Sequence, residues 1–259
     1  MQLSAITPII LTFNEAANIE RSLAALRWAP RVVVLDSGST DQTAEFVGRF
    51  ANASFHIRPF DTHAAQWTYA LNETGVDTDW VLVLDADHIV TEPFVAELAT
   101  LSGEGVAGFR AGFTYCIEGR PLRASLYPPG IVLARRQNAR FVQDGHTQRL
   151  ICDGEVGALR AKLLHDDRKS AERWLQSQAR YMALEAIKLR TTPWRNLDWA
   201  DRLRLLRLGP PLAFLYCLFG KGLLFEGRAG WLYSLQRATA EAILLMTLLH
   251  ERRAKDSPS

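Results

Sequence analysis

The amino-acid sequence predicts an α/β fold, and three observations carry that expectation. Through the first hundred residues, short apolar runs alternate with segments of helical periodicity, the pattern of parallel strands joined by helical crossovers. The runs 32–35 and 80–84 are apolar without alternation, as strands buried on both faces must be. After Gly103 strand follows strand, and after about Lys169 helix follows helix.

Each element has its own signal. Residues 6–11 form the first strand, although Pro8 cannot donate to a ladder and argues against a central place. Asn14 is positioned to cap a helix that carries Ile19, Leu23 and Leu26 on one face. Residues 31–35 form the second strand and end in the turn Asp36-Ser37-Gly38-Ser39, where Ser39 and Gln42 have capping-box spacing for the next helix. A third strand at 55–60 leads to a helix at 62–74 that stops near Gly75. The Trp80 strand follows, and Thr91 caps a helix running to about Leu101. Residues 106–117 and 131–134 read as strands joined by a loop, with further β structure expected at 141–152 and 155–164. Residues 170–189 form a helix stopped by Thr191-Thr192-Pro193. The boundary falls near Lys169, which divides the chain into a domain at 1–169 and a helical region at 170–259.

Composition excludes some functions. A net charge of +2 gives no general case for nucleic acid. Cys116, Cys152 and Cys217 are odd in number and widely spaced, without a zinc or redox pattern, which favours a reducing, cytosolic setting. The N-terminus runs into a strand without a basic region and an apolar signal core. In the C-terminal third, residues 208–220 are apolar but too few to span a bilayer. Residues 229–249 are enough, but Arg237 and Glu241 interrupt them, and charges at mid-membrane are costly. Arg195, Arg202, Arg204 and Arg207 precede this stretch. The region therefore suits an anionic membrane surface, or packing on the core or a second subunit.

The chemistry concentrates where the Trp80 strand ends in Asp85-Ala86-Asp87-His88. Open α/β sheets bind ligands beyond the carboxyl ends of their strands. Two acids there repel unless a cation bridges them, and a hard divalent ion takes oxygen ligands while keeping waters or substrate phosphates. Alone, the motif is also just a strand followed by an acidic turn.

Three further features stand in order around it: Thr12-Phe13-Asn14-Glu15, Val34-Leu35-Asp36-Ser37-Gly38-Ser39-Thr40-Asp41, and Gln66 on the third helix. Together these resemble family 2 glycosyltransferases of the GT-A fold, and more closely the branch of lipopolysaccharide-core glucosyltransferases. The resemblance implies a Rossmann-like nucleotide-sugar-binding mixed sheet flanked by helices, with a C-terminal helical region. It implies a metal-dependent inverting transfer from a nucleotide-sugar, a UDP-sugar in first place, to a glycan or glycolipid on the cytoplasmic face of the cytoplasmic membrane. Phe13 is then placed to stack on a base, Asp36 to accept from the ring or a ribose hydroxyl, and Glu15 to bond ribose. Gln66 and Arg168 complete the nucleotide-sugar contacts. Asp87 coordinates Mg2+ or Mn2+, Asp85 contacts ribose or the metal through water, and His165, late in the core, is the further metal ligand. Asp144 is the general base, with His146 second, because the base in this fold usually follows the second sheet region. Thr147 stands where close relatives often have Glu after the histidine, and Trp67 and Thr68 stand where they have a basic residue and Asn. Haloacid-dehalogenase-like phosphatases also use Asp-x-Asp, but on the first strand and with Thr or Val where this chain has Ile89. A nucleotide-binding scaffold without turnover is a third reading: the retained acids argue against it, and Thr147 in place of Glu after His146 argues for it.

Overall fold

The computed structural model describes residues 1–144 and 147–256, with the side chains of 143–148 and 251–256 outside the description. The chain divides into two compact units, one of residues 1–121 and 127–168, the other of 122–126 and 169–259.

In the first unit, β1 (Ile6–Thr12), β2 (Val32–Asp36), β3 (Ala53–Ile57) and β4 (Trp80–Asp85) are parallel, linked through α1 (Ile19–Ala24), α2 (Thr43–Val47) and α3 (His63–Glu73). Next come β5 (His88–Ile89), α4 (Glu92–Thr100), β6 (Val106–Ala111), β7 (Phe113–Ile117), β8 (Arg120–Pro121) and β9 (Gly130–Arg135). The unit finishes with β10 (Ala139–Asp144), β11 (Thr147–Cys152), β12 (Glu155–Ala158) and β13 (Leu163–His165). The large sheet has the order β12-β6-β9-β4-β1-β2-β3, and β9 runs antiparallel to both neighbours, so the sheet is mixed. A small sheet, β5-β13-β7-β8, and the hairpin β10-β11 complete the unit.

Strand alternation divides the core between the two faces of the sheet. Ile6, Ile10, Leu82 and Leu84 pack with Leu23, Phe94 and Leu98 on one face. Ile9, Val33, Leu35 and Val81 pack with Trp67 and Leu71 on the other. Trp67 is buried and stacks on Phe141 at 5.3 Å between ring centroids, so this departure from the family pattern serves the core.

Several local expectations are corrected. Pro8 does lie within a central strand, one residue before the β2 register begins at Ile9↔Val33. Residues 106–117 are two strands, broken at Gly112, and β6 and β7 belong to different sheets. Residues 155–164 likewise separate into β12 and β13. Asn14 caps no helix: it takes a left-handed φ of 55° and turns toward the loop after β2. At α2, Asp41 Oδ1 accepts from Thr43 N at 3.0 Å, while Ser39 is occupied with Asn14 and Asp36.

The second unit is helical: α5 (Ala171–Thr191), α6 (Trp199–Leu205), α7 (Gly209–Leu215), a π turn to Gly220, and α8 (Gly227–Asp256). Ser170 and Asp198 cap α5 and α6 by accepting from Arg173 N and Asp201 N. Ala186, Leu189, Leu197, Leu244 and Leu248 form its core. Arg204 meets Glu241 at 2.9 Å and Asp201 at 2.8 Å. Glu241, read as an interruption of an apolar run, is thus the partner of one of the four arginines. Among the described residues, no helix is long and apolar enough to cross a membrane. All three cysteines are buried and free.

Candidate active site

The ends of β1 and β2 are latched together. Asp36 is 2% exposed, and its carboxylate accepts from Thr12 Oγ1 at 2.8 Å, Gly38 N at 2.8 Å, Ser39 N at 2.6 Å and Ser39 Oγ. Asn14 N donates to Ser39 Oγ at 2.6 Å, and Asn14 Oδ1 accepts from Thr40 N at 2.8 Å. Glu15 N donates to Thr43 Oγ1 and Ala16 N to Asp41 Oδ2. Against this rigid loop pair Phe13 is 45% exposed, a large aromatic held at a strand end rather than in the core. Gln66 is fully buried: its Nε2 donates to Ser37 Oγ and Arg58 O, and its Oε1 accepts from Arg58 Nη1. Asp36 and Gln66, expected to contact the nucleotide-sugar, both have internal hydrogen bonds. Their polar atoms are engaged within the protein and shape the loop wall, because burial leaves hydrogen-bonding groups to be satisfied internally.

At the end of β4 the geometry differs. Asp85 has its side chain 49% exposed, Asp87 14%. Register brings in the late histidine: β13 pairs antiparallel with β5, so His165 lies opposite His88, and Asp166 N donates to Asp87 O at 2.9 Å. His165 Nε2 stands 3.7 Å from Asp87 Oδ2. Asp87, His88 and His165 offer ligand atoms within 4.8 Å of one another. Among the described residues, the buried His165 Nδ1 has no hydrogen-bond partner. A carboxylate and imidazole set at this spacing fits a divalent cation such as Mn2+. Burial pushes the His88 imidazole below its usual range, against the upward pull of Asp85 and Asp87.

A polar clamp holds the β13 end in place. Arg21 Nη1 donates to Asp166 Oδ2 at 2.6 Å, and Arg168 Nε donates to Asp166 Oδ1 at 2.8 Å. Asn18 Nδ2 donates to Glu15 Oε2 and Asp167 Oδ1, and Asn18 Oδ1 accepts from Arg168 N. The hydrogen bonds of Arg168 and Arg21 hold the Asp166 carboxyl below its ordinary range, against burial, the largest single influence. Arg168 and Glu15, read as donor contacts, are therefore both part of the clamp, with the Arg168 side chain 40% exposed. Two aromatics escaped sequence reasoning. Tyr115 stacks on His165 at 4.7 Å and 15°, and Tyr127 meets it at 4.5 Å. Neither belongs to a motif: Tyr115 lies in β7 and Tyr127 in the loop before β9, and only the folded chain brings them here. His146 lies outside the described residues, and of Asp144 only the backbone is described, paired with Thr147 across the hairpin.

Residues 7–166 match the family model "Glycosyl transferase family 2", a span that contains the ends of β1, β2 and β4 and reaches His165 and Asp166. The chain is a family 2 glycosyltransferase. The glycosyltransferase is 26% identical over 271 residues to the lipopolysaccharide core biosynthesis glycosyltransferase LpsC of Rhizobium meliloti, covering 96% of this chain and 93% of that one. It is 30% identical over 122 residues to glycosyltransferase AglE of Haloferax volcanii, covering 42% of this chain and 40% of that one. A crystal structure of S. aureus TarS 1–349 with UDP-GlcNAc superposes with a TM-score of 0.49 at 13% identity, covering 96% of this chain and 92% of that one. The mixed sheet of the glycosyltransferase, flanked by helices, has the GT-A layout.

Proposed function

We propose that this glycosyltransferase is metal-dependent and inverting, and that it moves a sugar from a nucleotide diphosphate, UDP in first place, to a lipopolysaccharide-core or related glycolipid acceptor. The observation that carries the reading is the meeting of Asp87 and His165 outside the carboxyl end of β4. LpsC, similar over nearly its whole length, suggests the acceptor class. Asp87 and His165 would hold Mg2+ or Mn2+, which when bound neutralises the leaving diphosphate. Phe13 stacks on the base, and Asp36 and Gln66 keep the loop beneath it in shape. Asp85, half exposed, is left to bond ribose or a metal-bound water. Arg168, anchored at Nε by Asp166, adds positive charge beside the phosphates.

Assay of the purified chain against a nucleotide-sugar panel, with Mn2+, Mg2+ or EDTA, tests this. Undiminished turnover in EDTA sinks the metal reading, and turnover with a non-uridine donor alone sinks UDP. Asp144 is proposed as the base that takes the acceptor proton during attack on the anomeric carbon, with His146 orienting it. Asp144→Asn should then abolish turnover while donor binding survives, and His146→Ala should cost less. The reverse ranking moves the base to His146.

The helical unit is proposed to lie on an anionic membrane surface. Leu212, Leu215 and Phe219, together with Phe225, Trp231 and Leu235, are exposed, and Arg202 and Arg207 supply positive charge nearby in sequence. Arg204 is withdrawn from this set because Glu241 and Asp201 neutralise it. Binding to anionic vesicles should weaken with salt and in Arg202→Glu/Arg207→Glu. A dimer that binds no vesicle would assign the surface to a second copy instead.

A further inference from the structure

His88 stands between two roles. Its side chain is 6% exposed, and by distance it belongs to the donor cluster of Asp87 and His165. Distance alone makes it a third metal ligand, but its hydrogen bonding says otherwise. Asp85 N donates to His88 Nδ1 at 3.1 Å. Nδ1 therefore carries the lone pair, and a neutral ring has its single proton on Nε2. A nitrogen that bears a proton has no in-plane lone pair left for a cation. That Nε2 faces Asp85 Oδ2 at 3.8 Å, Asp87 Oδ1 at 3.9 Å and Tyr127 Oη at 3.5 Å. The ring is held against Phe113, with 4.8 Å between centroids. His165 contrasts with it: among the described residues Nδ1 of that ring has no hydrogen-bond partner and no backbone bond to impose a tautomer, and its Nε2 faces Asp87 at 3.7 Å.

We propose that His88 is a positioning residue: a fixed, neutral Nε2–H imidazole that orients Asp85 and Asp87 and does not ligate the ion. The inference rests on the metal reading above for its consequence, but not for the tautomer. At 3.8 and 3.9 Å the Nε2–H is too far to hydrogen-bond to either carboxylate, so it acts on both as a dipole that eases their repulsion without removing the charge of either, and both stay attractive to a cation. The bond from Asp85 N ties the ring to the backbone at the strand end, so the acids and the imidazole move together.

The test uses the full chain labelled with 15N-histidine. Long-range 1H–15N spectra of the metal-free protein should show His88 protonated at Nε2 and bare at Nδ1, with the peaks assigned by their loss in His88→Gln. An Nδ1–H tautomer overturns the proposal, and this measurement is made on the unaltered protein, whatever the variants do. Electron spin echo spectra of Mn2+ bound with UDP should show one directly coordinated histidine nitrogen, lost in His165→Ala and kept in His88→Gln. Loss of that coupling in His88→Gln makes His88 the ligand and overturns the proposal. His88→Ala should weaken Mn2+ binding by about 10–100-fold, the usual effect of removing a group that orients a metal ligand. His88→Gln, which can place an N–H near the same point, should recover most of that loss. Equal Mn2+ affinity in His88→Ala and the parent also overturns it. Failure of the parent to take up Mn2+ with UDP overturns the metal reading instead, and the spectrum of the metal-free chain still decides the tautomer.

Discussion

Asp36 and Asp85 end two parallel strands that flank β1 in one sheet. Asp36 is 2% exposed and accepts four hydrogen bonds from its own turn and from Thr12. Asp85 is half exposed, and around it and Asp87 the imidazole nitrogens stand at 3.7–3.9 Å, beyond hydrogen-bonding distance. A buried carboxylate surrounded by donors builds the loop that contains it. Asp85, half open to solvent, and Asp87, 3.7 Å from the His165 ring, are instead placed where a cation from outside can be held. The residue type and the place on the sheet are alike, and the supply of local donors makes the difference. After β2, Gly38 with φ 89° lets two successive amides turn back onto Asp36. After β4, the amide of Asp85 itself is taken by His88.

The largest effect should come from Asp87→Asn. Turnover falls by orders of magnitude, while the thermal midpoint stays level or rises because the repulsion between the two acids is relieved. Full metal-dependent turnover in this variant would erase the contrast. Asp36→Ala should behave the other way. It strips four donors of their acceptor; only the Thr12 hydroxyl is fully buried, at a cost of about 1–3 kcal/mol when unsatisfied, and the part-buried donors at Gly38 and Ser39 can turn to water, so urea unfolding should show a loss of about 2–4 kcal/mol. Nucleotide affinity should fall with it as the loop loosens. A variant as stable as the parent that no longer binds nucleotide would show that Asp36 touches the donor directly. Smallest is the pair at Asn14, whose left-handed backbone carries the latch between the two loops. Asn14→Gly loses the side-chain bond but keeps the conformation, whereas Asn14→Ala also meets strain of roughly 1–2 kcal/mol. The stability order should be parent, Gly, Ala, and an Ala variant above Gly would show that the left-handed turn is not required.

By itself, the sequence determined the elements whose signals are local. Unalternated runs such as 32–35 and 80–84 are strands buried on both faces, Thr62, Thr91 and Ser170 cap the helices that follow them, and paired acids end the fourth strand. Periodicity and capping act over a few residues, so neighbours in sequence suffice to read them. Tertiary structure alone decided which polar groups are spent and which are left available. That Asp36 and Gln66 are engaged internally depends on Thr12, Ser37 and Arg58, which other strands and loops contribute. The break at Gly112, which sends β7 into a second sheet, is not marked by any charged or turn-forming run, because apolar residues stand on both sides of it. The placing of His165 opposite His88 depends on pairing between strands more than seventy residues apart, and that register brings Tyr115 and Tyr127 to the same imidazole. Hydrogen-bond satisfaction and strand register are properties of groups that meet in space, so residues distant in the chain decide them.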